Sequence, residues 1–432
     1  MKKRFLSVVT FVILLSLFAG VSSVMAADEE VTISFTWWGD TDRHEVYNSI
    51  VDMFEEEYPN INVERYPGSW GQYWTKLATQ AASGTAPDVI GMHPAYVSDY
   101  APRGALLDLA PFVNSGALDL YNVPESVRQT GLVDDTQYMI AQGVTMTGYI
   151  YNTKTFDELG VDYPEMDWTY ADFAEKAVEL REAALEKGIE MWGANDFSSQ
   201  FIPYFAYYAR TNGESAYSED GQLGFSEETV VEWFKFWEDL RDKGGIPDAS
   251  TGVEYADLPL EQNLFNSGKI AISSIPANQI WLYQEQVKND GDIKMVRMPH
   301  LADGQPGEYL EGAQFAISSG SDHPEAAAKL ISFFINDKEA QELFKLEQGV
   351  PPTTTAQEVI TDELNPADQE TIEFVSYALE LADKAPNPPT GSAEVMALFE
   401  EIAQSVSFGN QTPEEAAAEF MQGAEDILLM NQ

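Results

Sequence analysis

Aromatic residues stand beside acidic or polar residues where three predicted strands end. These residues are Trp37, Trp38 and Asp40 after the first strand, Trp70 in the loop after the second, and His93 and Tyr96 just past the third. In open α/β sheets, ligands bind beyond the carboxyl ends of the strands, where loops present side chains. Flat rings can cover the apolar faces of a ligand, while carboxylates and amides bind its polar rim. The pattern therefore favours a site for a neutral, polyhydroxylated molecule.

A second set of candidate binding residues has the same character. It comprises Trp192, Asn195, Asp196 and Phe197 in a glycine-containing loop, Thr145, and Asn278, Trp281, Glu311, Gly312 and Gln314 in later segments. Asp88 is a further candidate, with capping of its local turn as the alternative. For each tryptophan the alternative is burial in the core. For Trp38, Trp70 and Trp281, loop position and polar neighbours make a binding role as consistent with the sequence as burial in the core.

The sequence contains no arrangement that predicts catalysis. It has no cysteine, its four histidines lack the spacing of metal ligands, and it has no G-x-S-x-G, GxGxxG or Walker sequence. With 71 acidic residues, carboxylate pairs arise by chance and do not indicate a glycosidase. We therefore expect a binding protein without cofactor or metal, and a secreted glycoside hydrolase is the less favoured alternative.

The chain is strongly acidic, with 71 Asp and Glu against 24 Lys and Arg and a net charge of −47. This charge repels nucleic acids, anionic lipids and phosphorylated ligands, so none of them is an expected partner. A cation such as a polyamine, held by acids and aromatic rings, is an alternative ligand. Binding of a polyamine would weaken steeply with salt, whereas binding of a neutral sugar would not.

The N-terminus has the pattern of a secretory signal peptide. Lys2, Lys3 and Arg4 precede an apolar run that ends near Ala19, and small residues precede a cleavage site after Ala26. The run is shorter than the roughly 20 residues that a membrane span needs. Because no cysteine is available for a lipid anchor, we expect a free periplasmic protein.

Strand and helix patterns alternate along the chain. A strand over 31–38 precedes a helix with Ile50 and Phe54 on one face, and the alternation restarts after Gln142 with a strand over 147–152. Further helices are predicted over 170–187, 227–243 and 324–336 and after Thr412. Alternation of this kind predicts α/β architecture, and the length exceeds that of a single core.

Eight segments, taken in order, resemble one known family. They are the strand ending in Trp37-Trp38-Gly39, then 54–63, 81–89, 149–152, 264–272, 311–318, 324–327 and 409–416. Their order and spacing are similar to those of the extracellular solute-binding proteins of carbohydrate ABC importers, the maltose-binding-protein-like group.

The resemblance implies a two-lobed periplasmic-binding-protein fold. Each lobe would be a mainly parallel sheet flanked by helices, and a hinge of three chain crossings would join the lobes. By this resemblance lobe 1 takes 27–141 and 272–315, and lobe 2 takes 142–271 and 316–432. The implied function is capture of a neutral sugar or oligosaccharide in the cleft between the lobes. The implied partners are that carbohydrate and the permease subunits of an ABC importer, and we expect a monomer.

Overall fold

The computed structural model describes residues 30–431 except 219, 257, 288–290, 305–306, 362–363, 380 and 385–387. The predicted signal peptide and its cleavage site after Ala26 lie outside the described residues. Within the described residues, no helix combines the length and the apolar character needed to cross a membrane.

The described residues contain thirteen strands and sixteen α-helices. The strands are β1 Val31–Trp38, β2 Ile61–Gly68, β3 Val89–Met92, β4 Leu132–Val133, β5 Thr136–Gln137, β6 Met139–Ala141, β7 Thr147–Asn152, β8 Trp192–Ala194, β9 Ile270–Pro276, β10 Ile293–Val296, β11 Tyr309–Leu310, β12 Gln314–Ile317 and β13 Asp383–Lys384. The helices are α1 Thr41–Glu57, α2 Trp70–Ser83, α3 Ala110–Ser115, α4 Glu125–Gln129, α5 Thr153–Leu159, α6 Tyr170–Glu186, α7 Ala206–Thr211, α8 Glu227–Asp242, α9 Ala249–Ala256, α10 Ile280–Gln286, α11 Pro324–Asn336, α12 Lys338–Phe344, α13 Thr354–Ile360, α14 Pro366–Leu379, α15 Ser392–Ser407 and α16 Pro413–Met430.

Local sequence signals account for where several helices begin. Thr169 and Asp172 form a capping box at α6, and Thr412 and Glu415 form another at α16, each satisfying amides that the first helical turn leaves free. Pro324 occupies the first position of α11, where its missing amide hydrogen costs nothing. The predicted helices over 170–187, 227–243 and 324–336 are confirmed to within one residue.

The first sheet has the strand order β2-β1-β3-β12-β6. Strand β1 pairs in parallel with β2 and β3, whereas β12 is antiparallel to both β3 and β6. Side chains alternate along β1, so Phe35 and Trp37 pack into the main core while Trp38 faces a separate aromatic cluster.

The second sheet has the strand order β10-β7-β9-β8. Strand β9 is antiparallel to β7 and parallel to β8, and β10 is antiparallel to β7. Both sheets are therefore mixed and not mainly parallel. Two lobes of α/β structure are confirmed.

The pairing and packing do not follow the predicted lobe boundaries. Most of strand β9 and all of β10 lie in 272–315, which we assigned to lobe 1, but both strands pair with β7 of the second sheet. Helix α11 lies within 316–432, which we assigned to lobe 2, but it packs on α1, β1 and β12 of the first sheet. Helices α15 and α16 pack on each other and on α8, beside the second sheet.

Three segments meet between the two sheets, and we call them the crossing layer: 142–145, 311–313 and 348–350. Backbone hydrogen bonds join Thr145 to Glu311 at 2.9–3.0 Å and Val144 to Val350 at 2.7 Å. A Cβ atom at Gly312, whose φ is +133°, would lie 2.2 Å from the carbonyl oxygen of Gly143. The layer therefore requires backbone-to-backbone contact that only glycine allows there.

Candidate functional site

A cavity of about 130 Å³, the central cavity, lies beside the crossing layer. Its lining residues come from the end of the first sheet, from the crossing segments and from the second lobe. They include His93, Pro94, Ala95, Met146, Thr147, Ile202, Pro203, Ala206, Tyr207, Ala216, Tyr217, Met298, Gly307, Glu308, Tyr309, Leu310, Glu311, Pro388, Ser392 and Met396. Most of these side chains are apolar.

Most polar atoms of the central cavity already have partners within the protein. The Tyr207 hydroxyl donates to Glu308 and to the Met298 carbonyl, at 3.0 Å in each case. Glu308 in turn accepts from the buried Arg297 guanidinium at 2.5 and 3.0 Å. These atoms form the wall of the cavity and are not available to a ligand.

The Tyr217 hydroxyl is different, because it is buried and none of the described residues gives it a hydrogen-bond partner. The residue is 5% exposed, so water does not replace the missing partner easily. Burial also raises the pKa of Tyr217, so the hydroxyl keeps its proton. Tyr217 lines the central cavity, and its hydroxyl is a donor that no described residue uses.

The lining of the central cavity contains two carboxyl groups, those of Glu308 and Glu311. Among the described residues, only Glu308 has a cationic partner, and Glu311 has none. Its backbone is fixed by pairing with Thr145, and its Oε2 accepts from the Thr147 hydroxyl at 3.1 Å. Burial raises the pKa of Glu311 to about 7, because the charged form loses solvation. The carboxyl therefore changes protonation near neutral pH.

A larger cavity of about 810 Å³, the outer groove, adjoins the central cavity and shares Ile202 and Met396 with it. Its volume lies in the roughly 300–1,000 Å³ range of small-molecule sites. Its polar and aromatic lining residues are Asn195, Asp196, Phe197, Ser198, Ser199, Gln200, Phe201, Tyr204, Tyr255, Asn263, Phe265, Ser273, Ser274, Tyr283, Glu400, Gln404, Ser407 and Phe408. The lining of the groove therefore combines aromatic rings with amides and hydroxyls.

Neither cavity has a lysine or arginine among its described lining residues. Asp196 in the groove is neutralised by Arg241 at 2.5 Å, as Glu308 is neutralised by Arg297 in the central cavity. Anionic ligands therefore lack a counter-charge, and two of the lining carboxylates are already paired and so attract cations weakly.

An aromatic cluster on the first lobe reaches the central cavity through His93. Trp70 lies edge-on to Trp38, Trp74 and His93 at 5.2–5.6 Å, and Tyr96 stacks on Trp74 at 3.9 Å. Burial lowers the pKa of His93 to about 4, so its ring is uncharged at neutral pH. Trp70 remains 44% exposed and gives the cluster an open face.

The structure divides the predicted site residues into three groups. His93, Asn195, Asp196, Phe197 and Glu311 line one of the cavities. Residues near them but outside both linings are Trp38, Trp70 and Tyr96 in the aromatic cluster and Thr145, Gly312 and Asn278 at the crossing layer, where the Asn278 amide donates to Thr145 Oγ1 at 3.4 Å.

The third group does not line either cavity. Three of its residues, Trp37, Asp40 and Gln314, make contacts that stabilise the fold. Trp37 is 1% exposed and stacks on Tyr47 in the core. Asp40 is exposed and caps α1 by accepting from the Arg43 amide at 3.0 Å. Gln314 is buried and donates to the Thr130 hydroxyl at 3.2 Å.

Asp88, Trp192 and Trp281 complete the third group. Asp88 precedes β3, at the amino end of the strand, and accepts from Ser34 and Ser321. Trp192 begins β8 and packs under the Arg181 guanidinium, 5.4 Å from the ring centre. Trp281 is on α10 and packs against the core.

Several lining residues were not among the predicted ones. Tyr204 stacks on Phe197 at 4.2 Å, and with Ile202 and Pro203 it belongs to the aromatic run 201–208. That run is a sequence signal that could have been used. Tyr217 and Met396 carry no local signal, because tertiary packing alone brings them to the cavity.

Comparisons with known proteins agree with this architecture. The sequence model of the family described as bacterial extracellular solute-binding protein matches residues 49–371. The sn-glycerol-3-phosphate-binding periplasmic protein of Pectobacterium atrosepticum is 22% identical, over 91% of this chain and 91% of that protein. The maltodextrin-binding protein of Bacillus subtilis is also 22% identical, over 86% and 85%. The structure of an extracellular solute-binding protein family 1 member from Alicyclobacillus acidocaldarius is 26% identical, with a TM-score of 0.75 over 93% of this chain and 99% of that one.

Proposed function

The chain belongs to the bacterial extracellular solute-binding proteins, and from that premise we propose that it captures a neutral sugar or oligosaccharide for an ABC importer. The two relatives described above are equally identical to this chain, yet one is named for a phosphate ester and the other for a neutral oligosaccharide. Sequence similarity alone therefore does not choose the ligand, and the chemistry of the cavities must.

The composition of the outer groove is the observation that carries the proposal. Tyr204, Tyr255 and Phe265 contribute aromatic surface to the lining, and Asn195 and Gln200 contribute amides, with no lysine or arginine in the described lining. Sugars present apolar C–H faces and a rim of hydroxyls, which such surfaces match. A phosphate or a uronate would be buried without a cation, at a large cost in desolvation.

The rest of the assignment follows from the family. We propose that the protein acts in the periplasm after removal of a leader ending at Ala26, and that it delivers the sugar to the membrane permease of the importer. We propose that binding is its activity, as in the family, and two of the lining carboxylates, Asp196 and Glu308, are paired with arginines.

Isothermal titration calorimetry with a ligand panel tests the proposal. The panel contains neutral oligosaccharides (maltotriose, cellotriose and xylotriose), digalacturonate, glycerol 3-phosphate and spermidine. We expect at least one neutral sugar to bind with a dissociation constant of about 10 µM or lower, while the anions and the polyamine do not bind. Binding of digalacturonate, glycerol 3-phosphate or spermidine alone would overturn it.

A further inference from the structure

The central cavity differs from a site built for a sugar ring. A hexose presents several hydroxyls, each needing a partner once buried. In the described lining, Tyr207 and Glu308 are committed to each other and to the protein, and Thr147 donates to Glu311. An unmodified hexose would therefore leave hydroxyls unpaired in this cavity.

The size and lining of the cavity suit a different group. Met146, Ile202, Met298, Leu310 and Met396 supply apolar surface around a volume of about 130 Å³. A dry apolar cavity of about 150 Å³ is known to hold benzene. A planar six-membered ring or a short branched alkyl group is therefore of the right size.

Tyr217 and Glu311 are two polar residues of the lining that such a ligand could use. One polar group is the Tyr217 hydroxyl, whose residue is 5% exposed and which has no partner in the described part of the chain. The other is the carboxyl of Glu311, whose single described side-chain partner is Thr147. Together they could bind one or two oxygen atoms on an otherwise apolar group, such as a glycosidic or phenolic oxygen.

We propose that the central cavity binds an uncharged, ring-sized apolar group of the ligand, with the Tyr217 hydroxyl donating a hydrogen bond to the glycosidic oxygen that carries this group, so that the physiological ligand is a glycoside with an apolar aglycone. This inference rests on the proposed function, since the sugar part of the ligand occupies the adjoining outer groove. The shared residues Ile202 and Met396 mark where the two parts of the ligand meet.

The first experiment compares methyl and phenyl glycosides of glucose, galactose, mannose and xylose by calorimetry, alongside the free oligosaccharides. We expect the phenyl glycoside of at least one sugar to bind at least about tenfold tighter than its methyl counterpart, because the phenyl ring buries apolar area. Equal binding of both in every sugar that binds would overturn the inference and leave the sugar function standing. If no glycoside or oligosaccharide binds, the proposed function fails and this inference fails with it.

The second experiment uses Tyr217→Phe, with Tyr170→Phe as the matched control. Tyr170 is also buried in the second lobe, and its hydroxyl too has no partner among the residues that the structure describes, but it does not line either cavity. Both variants should keep or raise the melting temperature, since each removes an unsatisfied buried hydroxyl. Only Tyr217→Phe should weaken binding of the phenyl glycoside, by about fivefold to thirtyfold. Parental affinity in Tyr217→Phe, or an equal loss in Tyr170→Phe, would overturn the role of this hydroxyl.

Discussion

The central cavity and the outer groove share Ile202 and Met396 but differ in almost every other respect. The central cavity is small, apolar and lies against the crossing layer, with most of its polar atoms committed to the protein. The outer groove is about six times larger and presents amides and hydroxyls beside aromatic rings. This difference supports the proposal that the two cavities bind chemically distinct parts of a single ligand.

Filling the central cavity should have the largest effect. In Ala206→Trp, an indole would occupy most of the cavity volume, so binding of a phenyl glycoside should fall at least about 100-fold. Binding of a free oligosaccharide that fits the groove should change by less than about threefold. Calorimetry measures both, and a melting curve confirms folding.

The reciprocal variant is Ala397→Trp, at an exposed position that lines the outer groove. It should weaken the phenyl glycoside and the free oligosaccharide alike, because both place their sugar in the groove. If Ala206→Trp weakened both ligands equally, the two cavities would not be chemically separate sites.

Removing an aromatic face of the groove should have a smaller effect. Tyr255 lines the outer groove, and Tyr255→Ala should cost about 1–2 kcal/mol of sugar binding, or about fivefold to thirtyfold in dissociation constant. Tyr121→Ala is the control, because Tyr121 is 88% exposed and does not line either cavity. An unchanged affinity in Tyr255→Ala would remove this ring from the site.

Protonation of Glu311 should produce a still smaller effect. Covering this carboxyl with an apolar group removes further solvent, so the ligand should prefer the protonated form. With a pKa of about 7, affinity for a phenyl glycoside should fall by about threefold to tenfold from pH 6 to pH 8. Of the neighbouring groups, burial keeps Tyr204 protonated and His93 uncharged, and Glu308 is paired with Arg297.

The variant Glu311→Gln mimics the protonated acid and should show a flat affinity profile over the same range. The same linkage acts on folding. Because the folded-state pKa is raised from 4.5 to about 7, the stability that this group contributes is present below about pH 4.5 and is lost as the pH rises through 7. A pH profile that persists in Glu311→Gln would assign the titration to another group.

The sequence predicted where helices and strands lie better than it predicted which side chains contact each other. Strand β1 and its loop could be placed, but its alternation allowed either Trp37 or Trp38 to face the core, and neighbouring helices decide this. Asp88 precedes β3 and His93 follows it, so the two residues lie at opposite ends of the same short strand. The order of these residues in the sequence was enough to predict this separation. The return of β9 and β10 along the second sheet depends on strand order, which local patterns do not encode.

Tyr217 shows the same limit at the site. It lies in a loop more than 70 residues after Thr145, and nothing in its neighbouring sequence marks it as a binding residue. Its unpartnered hydroxyl becomes visible only when the second lobe is assembled. Site residues at strand ends could therefore be predicted from the sequence, whereas site residues that tertiary packing brings to the cavity could not.

The salt dependence of binding tests most directly the proposal that a described lining without lysine or arginine holds a neutral ligand. The tightest ligand of the neutral oligosaccharides and phenyl glycosides should be titrated calorimetrically at 20 mM and 500 mM NaCl. Because the described lining has no lysine or arginine and both Asp196 and Glu308 are paired, we predict less than about a twofold change in dissociation constant. A loss of tenfold or more at the higher salt concentration would show that charges hold the ligand and would contradict this account.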